Sequence, residues 1–232
     1  MIRLEDAQVL GWEAAIRGMR NPMNSWKQSD TLFIRSDYCD EMEDYEMAHM
    51  CGGFAPIIKK NDHDLMVRLS NAGTDHRKFM RMITVYVDIT APLYWWKEFD
   101  TYKVGTVANS CSTMHKIHDK EFTLDDFSTE HLNGASVACL SETIILMNEW
   151  RKSFNDIDSF SNPEKKEFWW QMIQLLPSSY NQKRTVMLNY EVLANIYEYR
   201  KNHKLDEWVE FCKWIETLPY SEIITGETEK EN

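Results

Sequence analysis

Residues 189–200 are the part of this 232-residue sequence whose residue types and spacing are best suited to binding a ligand. Four positions separated by four, three and four residues would lie on one side of an α-helix. They are Asn189, Leu193, Ile196 and Arg200. Such a helix would pack through its apolar residues and present an amide and a guanidinium at its ends. An amphipathic core helix with polar edges gives the same pattern, and the spacing alone favours that simpler interpretation.

Other patterns for metal binding or catalysis are weak. Cys111, His115 and His118 could face one metal ion from a helix, but no Glu stands between the histidines and no second ligand pair has matching spacing. Exposed histidines are the simpler interpretation. Cys111 has no neighbouring base, and the Gly-x-Ser-x-Gly, Walker and Gly-x-Gly-x-x-Gly motifs are missing from the sequence. We therefore expect no bound metal, no activated thiol and no P-loop or Rossmann nucleotide site.

The composition excludes several classes of protein. The 26 Lys and Arg against 37 Asp and Glu give a formal charge of −11, which disfavours non-specific binding of nucleic acid but permits a mononucleotide. The five cysteines form no Cys-x-x-Cys pair, and the start of the sequence has no signal-peptide pattern. No stretch approaches the length of apolar sequence that a membrane-spanning helix needs. These features predict a protein of the reducing cytoplasm.

The elements that would position the candidate residues are mostly helical. Eight glycines and six prolines leave little material for tight turns, which argues against a β-sandwich or barrel. β-Branched and aromatic residues predict a central strand over residues 79–89, followed by an aromatic helix over residues 93–102 that Thr90 caps. A short strand is expected over residues 8–12, and further helices over residues 13–19, 61–72, 141–154, 163–176, 185–203 and 206–217.

We expect a single domain over residues 1–225. Residues 24–60 would form an irregular surface excursion that contains an acidic cluster at residues 40–44. Residues 226–232 are polar and would form a frayed tail.

The order of these segments resembles the flavin-dependent thymidylate synthases. Members of that family have an acid-His-x-x-aromatic element before a strand, which residues 75–79 match, and a Leu-Pro pair that Leu176-Pro177 match. Their later helix has the pattern Asn-x-[Arg]-x-Leu-x-Asn-x-x-x-x-Arg, which residues 189–200 match without a gap. Trp208 stands near the position of the Trp in the family's Gln-Trp-Glu.

The family's hallmark motif, Arg-His-Arg-x-x-Ser-x-Asn-Glu-x-Ser-x-Arg, is mostly replaced. Its Arg-His-Arg falls on residues 101–103, which read Thr-Tyr-Lys, and its first Ser falls on Thr106. Further on, Asn109 and Ser112 keep the residue type. Lys103 could still offer a phosphate a point charge, and Tyr102 a stacking face.

The resemblance implies an α/β (α+β) fold with a small mixed sheet flanked by several helices, assembled as a homotetramer with nucleotide sites between subunits. It also implies transfer of a one-carbon unit to C5 of a pyrimidine deoxynucleotide such as dUMP, with FAD as cofactor and reduced folate and NADPH as co-substrates. Arg200 would contact the pyrimidine as the catalytic residue, and Lys103, Thr106 and Ser112 would help to bind the substrate. The cofactor would be bound by His76, Tyr102, Asn109, Asn189 and Asn195.

Loss of the hallmark Arg and His leaves two other interpretations open. The chain could be a non-catalytic nucleotide-binding or protein-interaction module that kept the scaffold and lost flavin chemistry. It could also be a helical interaction protein whose resemblance is accidental. The Trp95-Trp96 and Trp169-Trp170 pairs would suit partner contacts or a core equally well.

Overall fold

A computed structural model describes residues 2–33, 55–156 and 159–226 of the chain. Within those ranges the strands are β1 (Arg3–Leu10), β2 (Thr84–Pro92), β3 (Val107–Ser110) and β4 (Asn181–Asn189). The helices are α1 (Trp12–Arg20), α2 (Lys60–Asn71), α3 (Leu93–Phe99), α4 (Thr113–Lys116), α5 (Gly134–Asn155), α6 (Asn162–Leu175), α7 (Tyr190–Arg200), α8 (Asp206–Glu216) and α9 (Glu222–Thr225). The acidic cluster at residues 40–44 and the tail from residue 227 lie outside the described residues.

The four strands form one sheet in the order β1-β2-β4-β3. Backbone hydrogen bonds run from Leu93 N to Tyr180 O at one end of the β2–β4 pair and from Tyr190 N to Ile83 O at the other, so these strands run in opposite directions. The prediction of an α/β fold with a small sheet and several flanking helices is confirmed. The sheet is antiparallel rather than mixed, because every pair of neighbouring strands in it runs in opposite directions.

Strand β4 corrects the predicted helix over residues 185–203. Val186 and Leu188 alternate with more exposed residues and are fully buried, which is the period of a strand. The helix begins only at Tyr190, where the side chain of Asn189 accepts a hydrogen bond from the Val192 backbone amide over 3.1 Å.

The segment around β2 also differs from its prediction. Residues 77–82 form a 3₁₀ turn, and the strand extends beyond residue 89 to Pro92, so Thr90 is a strand residue rather than a helix cap. Helix α3 then ends at Phe99, before Tyr102. Residues 101–106 are therefore a loop, and Tyr102 is a loop residue rather than the last residue of the predicted helix.

By the density of contacts, the chain divides into two compact units. One, called here unit 1, comprises residues 1–3, 90–100 and 109–184. The other, unit 2, comprises residues 4–89, 101–108 and 185–232. The prediction of a single domain over residues 1–225 stays a prediction.

Unit 1 is centred on two apolar groups. Trp95 and Trp96 are buried, and the Trp96 indole donates a hydrogen bond to the Gln182 carbonyl over 3.0 Å, so this pair belongs to a core. Helices α5 and α6 pack around a second cluster of buried residues. Its members are Ile117, Phe122, Phe127, Leu140, Ile144, Met147 and Met172. Trp170, by contrast, stays exposed on α6.

Unit 2 holds the helices that carry the candidate ligand-binding residues. Trp12 of α1 meets Tyr190 of α7 edge to face, with ring centroids 5.3 Å apart. The Tyr190 hydroxyl donates to the Pro219 carbonyl over 2.6 Å, which fixes the start of α7. The N-terminus of α2 is capped by Asp30, whose carboxylate accepts from the backbone amides of residues 61 and 62. The cap of this helix is therefore a residue from the segment 24–60 that the sequence predicts as an irregular excursion.

Candidate functional site

Helix α7 places the two ends of the predicted stripe where the sequence pattern expects them. Leu193 and Ile196 are fully buried, so the apolar part of the stripe packs into the core of unit 2. Arg200, one turn further on, is partly exposed at the C-terminal end of the helix. Asn189 is the N-cap at the other end. The helix thus holds the Cα atoms of Asn189 and Arg200 about 16 Å apart along its axis.

The Arg200 guanidinium is held by two aromatic residues. Its Nε donates a hydrogen bond to the Tyr102 hydroxyl oxygen over 2.9 Å. It also lies 4.8 Å from the centre of the Trp208 ring, a cation–π distance. Tyr102 and Trp208 meet edge to face at 5.9 Å. These contacts orient the guanidinium and tie the 101–106 loop to the end of α7.

The same loop meets the start of α7 through Gly105. This glycine has φ +77°, and a Cβ added to it would lie 2.8 Å from Asn189 Nδ2. The position therefore requires glycine both for its backbone conformation and for the close approach. We call the loop 101–106 together with α7 the loop–α7 site, because the loop contacts the helix at both of its ends.

The loop–α7 site offers one exposed ammonium and one hydroxyl without a partner among the described residues. The Lys103 side chain is exposed between the two contacts, and the backbone amides at the start of α7 add the positive end of the helix dipole. The Thr106 hydroxyl is shielded from solvent and has no hydrogen-bond partner among the described residues. Such a group costs free energy unless a ligand or a water molecule reaches it.

Of the four remaining predicted residues, one lies on α7 and three lie outside the loop–α7 site. Asn195 is on α7 but on its exposed face, and His76 is exposed at the start of the 3₁₀ turn before β2. Asn109 and Ser112 belong to unit 1, where the Ser112 hydroxyl caps α4 by accepting from the His115 amide over 3.1 Å. In unit 2 the structure brings Tyr102 to Arg200 and Gly105 to Asn189, and Lys103 and Thr106 lie in the same loop.

The donor set that remains does not fit a flavin. The Tyr102 hydroxyl oxygen and the Asn189 carbonyl oxygen accept hydrogen bonds from Arg200 and Val192, so these two residues can offer a ligand only single O–H and N–H donors. The resemblance places the first two of the hallmark's three arginines on Thr101 and Lys103, and neither residue can form the bidentate contact of an arginine. A single exposed ammonium suits one phosphate group better than the diphosphate of FAD. No reaction step through a flavin follows from these residues.

The thiols and histidines of the described residues do not form a second site. No group of three or more His, Cys, Asp or Glu within the described ranges could hold a metal ion. Burial raises the pKa of the Cys212 thiol to about 12, so this thiol is protonated and inert at neutral pH.

Sequence reasoning alone missed the contact between Gly105 and Asn189 and the ion pair of Arg81 with Glu191, which fixes the first turn of α7. Trp208 was noticed for its position along the chain, not as the ring under Arg200. The available signal for the contact between Gly105 and Asn189 was the glycine itself, which directly precedes Thr106 in the segment where the hallmark motif is replaced.

No family model matches this sequence, and no curated protein matches it. Solved structures do. The chain is similar to a crystal structure of thymidylate synthase X (ThyX) from Helicobacter pylori with FAD and dUMP, with a TM-score of 0.59 and 14% identity, over 97% of this chain and 95% of that one. A second structure of flavin-dependent ThyX from the same organism, complexed with FAD and dUMP, gives a TM-score of 0.57 and 14% identity over 95% of this chain and 97% of that one. At this identity the similarity shows that the fold is ThyX-like.

Proposed function

We propose that this chain binds a pyrimidine deoxynucleotide such as dUMP at the loop–α7 site. The observation that carries the proposal is the contact of the 101–106 loop with both ends of α7, through Arg200 and through Asn189. It occurs on a fold similar to a ThyX that was solved with dUMP. The loop on which the resemblance places the family's hallmark motif lies against a helix that carries an oriented guanidinium.

Each group has a role that suits its surroundings. The guanidinium of Arg200 would donate to a pyrimidine carbonyl and favour the ionised form of the base. Lys103 would hold the phosphate, helped by the positive end of α7. The Thr106 hydroxyl, which has no hydrogen-bond partner within the described ranges, would donate to the nucleotide or accept from it. Tyr102 offers a ring face beside the base.

The charge of the chain selects among nucleotide ligands. A formal charge of −11 repels a polyanion such as duplex DNA, while one lysine and one arginine suffice for a mononucleotide. We therefore expect binding of dUMP without salt-sensitive binding of DNA.

A second candidate function is the transfer of a one-carbon unit to dUMP with FAD, reduced folate and NADPH. Its support is the similarity of fold to ThyX structures that contain FAD and dUMP. The remaining donor set argues against it, since the hallmark arginines are missing. The binding function is therefore the one that the site geometry supports best.

We also propose that the protein is a symmetric homo-oligomer, specifically a tetramer. Helices α5 and α6 leave large apolar side chains in solvent, among them Ile145, which is 60% exposed, and Trp170. Burying such residues between subunits would be favourable.

Within the described ranges no helix is long and apolar enough to cross a membrane. The three cysteines described there are free thiols, which suits the reducing cytoplasm that we propose as its location.

Calorimetric titration of the full chain with dUMP tests the binding function. We expect saturable binding that Lys103→Gln weakens about tenfold, the usual effect of losing a hydrogen bond to a charged group. Lys201→Gln is the matched control, because Lys201 is an exposed lysine just after α7. Absence of dUMP binding, together with tight binding of duplex DNA, would refute the proposal.

The visible absorption spectrum separates the two candidates. If the chain only binds nucleotide, the purified protein is colourless and stays so after incubation with FAD and removal of the free cofactor. A retained flavin band would favour the enzyme instead.

A further inference from the structure

Helix α5 is apolar on two opposite faces. Leu140, Ile144 and Met147 are buried on one face and belong to the core of unit 1. The residues of the opposite face are exposed and lie within about 120° of the helix circumference at 3.6 residues per turn. They are Ala135, Ala138, Cys139, Glu142, Ile145 and Leu146. We call these six residues the outer stripe of α5.

The outer stripe lacks the charged side chains of an ordinary solvent-facing helix surface. Glu142 is the only Asp, Glu, Lys or Arg in residues 134–148, although such residues make up 27% of the chain. Ile145 is 60% exposed and Leu146 is 40% exposed. A helix that is apolar all round is normally buried. This part of α5 therefore has the composition of a helix that a partner covers.

The charges around the outer stripe argue against a membrane surface as that partner. Helices that lie on membranes carry Lys and Arg beside their apolar face. Residues 132–150 contain no Lys or Arg, and the formal charge of −11 repels anionic lipid headgroups. These features favour a protein surface.

The sizes of the side chains make the outer stripe complementary to a second copy of itself. Ala135, Ala138 and Cys139 are small, so two helices can approach closely at this point. Larger apolar residues lie on both sides, with Ile145 further along α5 and Leu132, which is 40% exposed, just before its start. If two copies cross antiparallel with a twofold axis between residues 138 and 139, Ile145 comes to lie beside Leu132 of the partner subunit.

The same register places the one charge of the stripe opposite a positive partial charge. Glu142 would face the first turn of α5 in the partner subunit, because residue 142 lies as far beyond the axis as residue 135 lies before it. Asn133 caps that turn by accepting from the Ser136 amide over 2.9 Å, and the amides of residues 134 and 135 have no acceptor within the helix. A carboxylate is favourable at such a helix start. A parallel pair in register would instead bring the two Glu142 side chains together.

We propose that the outer stripe of α5 binds the same stripe of a second copy of this chain, as an antiparallel helix pair around a twofold axis. The closest contact is at Ala138 and Cys139, and Ile145 and Leu132 cover the two ends. This inference specifies one interface of the proposed homo-oligomer and rests on that part of the proposed function. It does not depend on nucleotide binding, since α5 belongs to unit 1 and the loop–α7 site to unit 2.

Oxidative cross-linking of the full chain tests where the axis lies. The register brings the Cys139 thiols of two copies together, so copper phenanthroline should join them as a disulfide and take up the two electrons that the thiols lose. We expect a disulfide-linked dimer on non-reducing gels that Cys139→Ser abolishes. Cys111→Ser is the matched control, because Cys111 is also an exposed thiol of unit 1, and it should leave the dimer unchanged. Absence of a cross-linked dimer, or a dimer that Cys139→Ser retains, overturns this register.

Sedimentation velocity in reducing buffer tests the interface itself. Ala138→Arg places a long charged side chain at the axis, so the mass of the assembly at micromolar concentration should fall to half of the wild-type value. Ala72→Arg is the matched control, since Ala72 is exposed in unit 2, and it should keep the wild-type mass. Far-ultraviolet circular dichroism should show both variants folded, because both substitutions are at exposed positions.

The outcomes separate this interface from the proposed oligomer. An oligomeric wild type whose mass Ala138→Arg leaves unchanged overturns the α5 interface alone. The same holds if Ala72→Arg halves the mass as Ala138→Arg does. A monomeric wild type overturns the proposed oligomer and this interface together.

Discussion

Replacing Arg200 by alanine should reduce both stability and nucleotide binding, by amounts that the contacts of its side chain set. The variant loses the hydrogen bond to Tyr102, worth about 0.5–1.5 kcal/mol at a partly exposed position. It also loses the contact with the Trp208 ring, worth about 0.5–1 kcal/mol. The free energy of unfolding should therefore fall by about 1–2.5 kcal/mol.

The loss of binding should be larger than this structural effect. If the guanidinium contacts the pyrimidine, its removal costs about 1.5–3 kcal/mol of binding free energy, or roughly ten- to a hundredfold in affinity. Urea denaturation gives the stability, and calorimetric titration with dUMP at a temperature where the variant is folded gives the affinity. The two quantities are measured on the same protein preparation.

Lys201→Ala is the matched control for Arg200→Ala. Lys201 follows Arg200 directly, is exposed, and its ammonium lies 5.2 Å from the centre of the Tyr197 ring. Its removal should cost about 0.5–1 kcal/mol of stability and leave dUMP affinity unchanged. If Arg200→Ala lowers stability by 3 kcal/mol or more while dUMP affinity stays intact, Arg200 is a structural residue and the reasoning fails.

Three further predictions concern the loop, the buried ion pair and the assembly. Gly105→Ala should lower the free energy of unfolding by about 1–2 kcal/mol because of its positive φ, and further because its Cβ displaces Asn189. Gly73→Ala is the control, since Gly73 has φ +96° and open space around it and therefore reports the cost of the positive φ alone. Equal losses of stability in urea denaturation would contradict the close contact between Gly105 and Asn189. Asp62→Ala should cost about 3–5 kcal/mol because it leaves Arg20 buried and unpaired. The pKa of Asp62 is lowered in the folded state, so the stability that its carboxylate contributes is present above the usual pKa near 3.8 and is lost as the pH falls through the lowered pKa of the folded state. A loss of stability in Asp62→Ala that had already vanished at pH 6 would contradict this. Light scattering at micromolar concentration should show a symmetric oligomer, and Ile145→Asp on the exposed face of α5 should weaken it; a wild-type monomer would refute the assembly.

Local patterns in the sequence were enough to predict α7 and its buried stripe, because helical spacing and capping depend on neighbouring residues. Strand β4 was missed because its apolar residues 186–188 stand directly before that helix and read as its first turn. Only pairing with other strands distinguishes the two.

The contacts that join distant parts of the chain could not be predicted in the same way. Tyr102 meets Arg200 across 98 residues, and Arg20 meets Asp62 across 42. No alternation or spacing reports such pairs. The residues of the loop–α7 site came instead from the order of segments, which is information about a family fold rather than about local chemistry.

Hydrogen–deuterium exchange with and without dUMP tests the central claim most directly, because it reports where the nucleotide binds. Saturating dUMP should slow exchange in residues 101–106 and at both ends of α7, and Lys103→Gln should raise the dUMP concentration that gives half of this protection about tenfold. Unchanged exchange in the loop and in α7 at a dUMP concentration that demonstrably saturates the protein would contradict it.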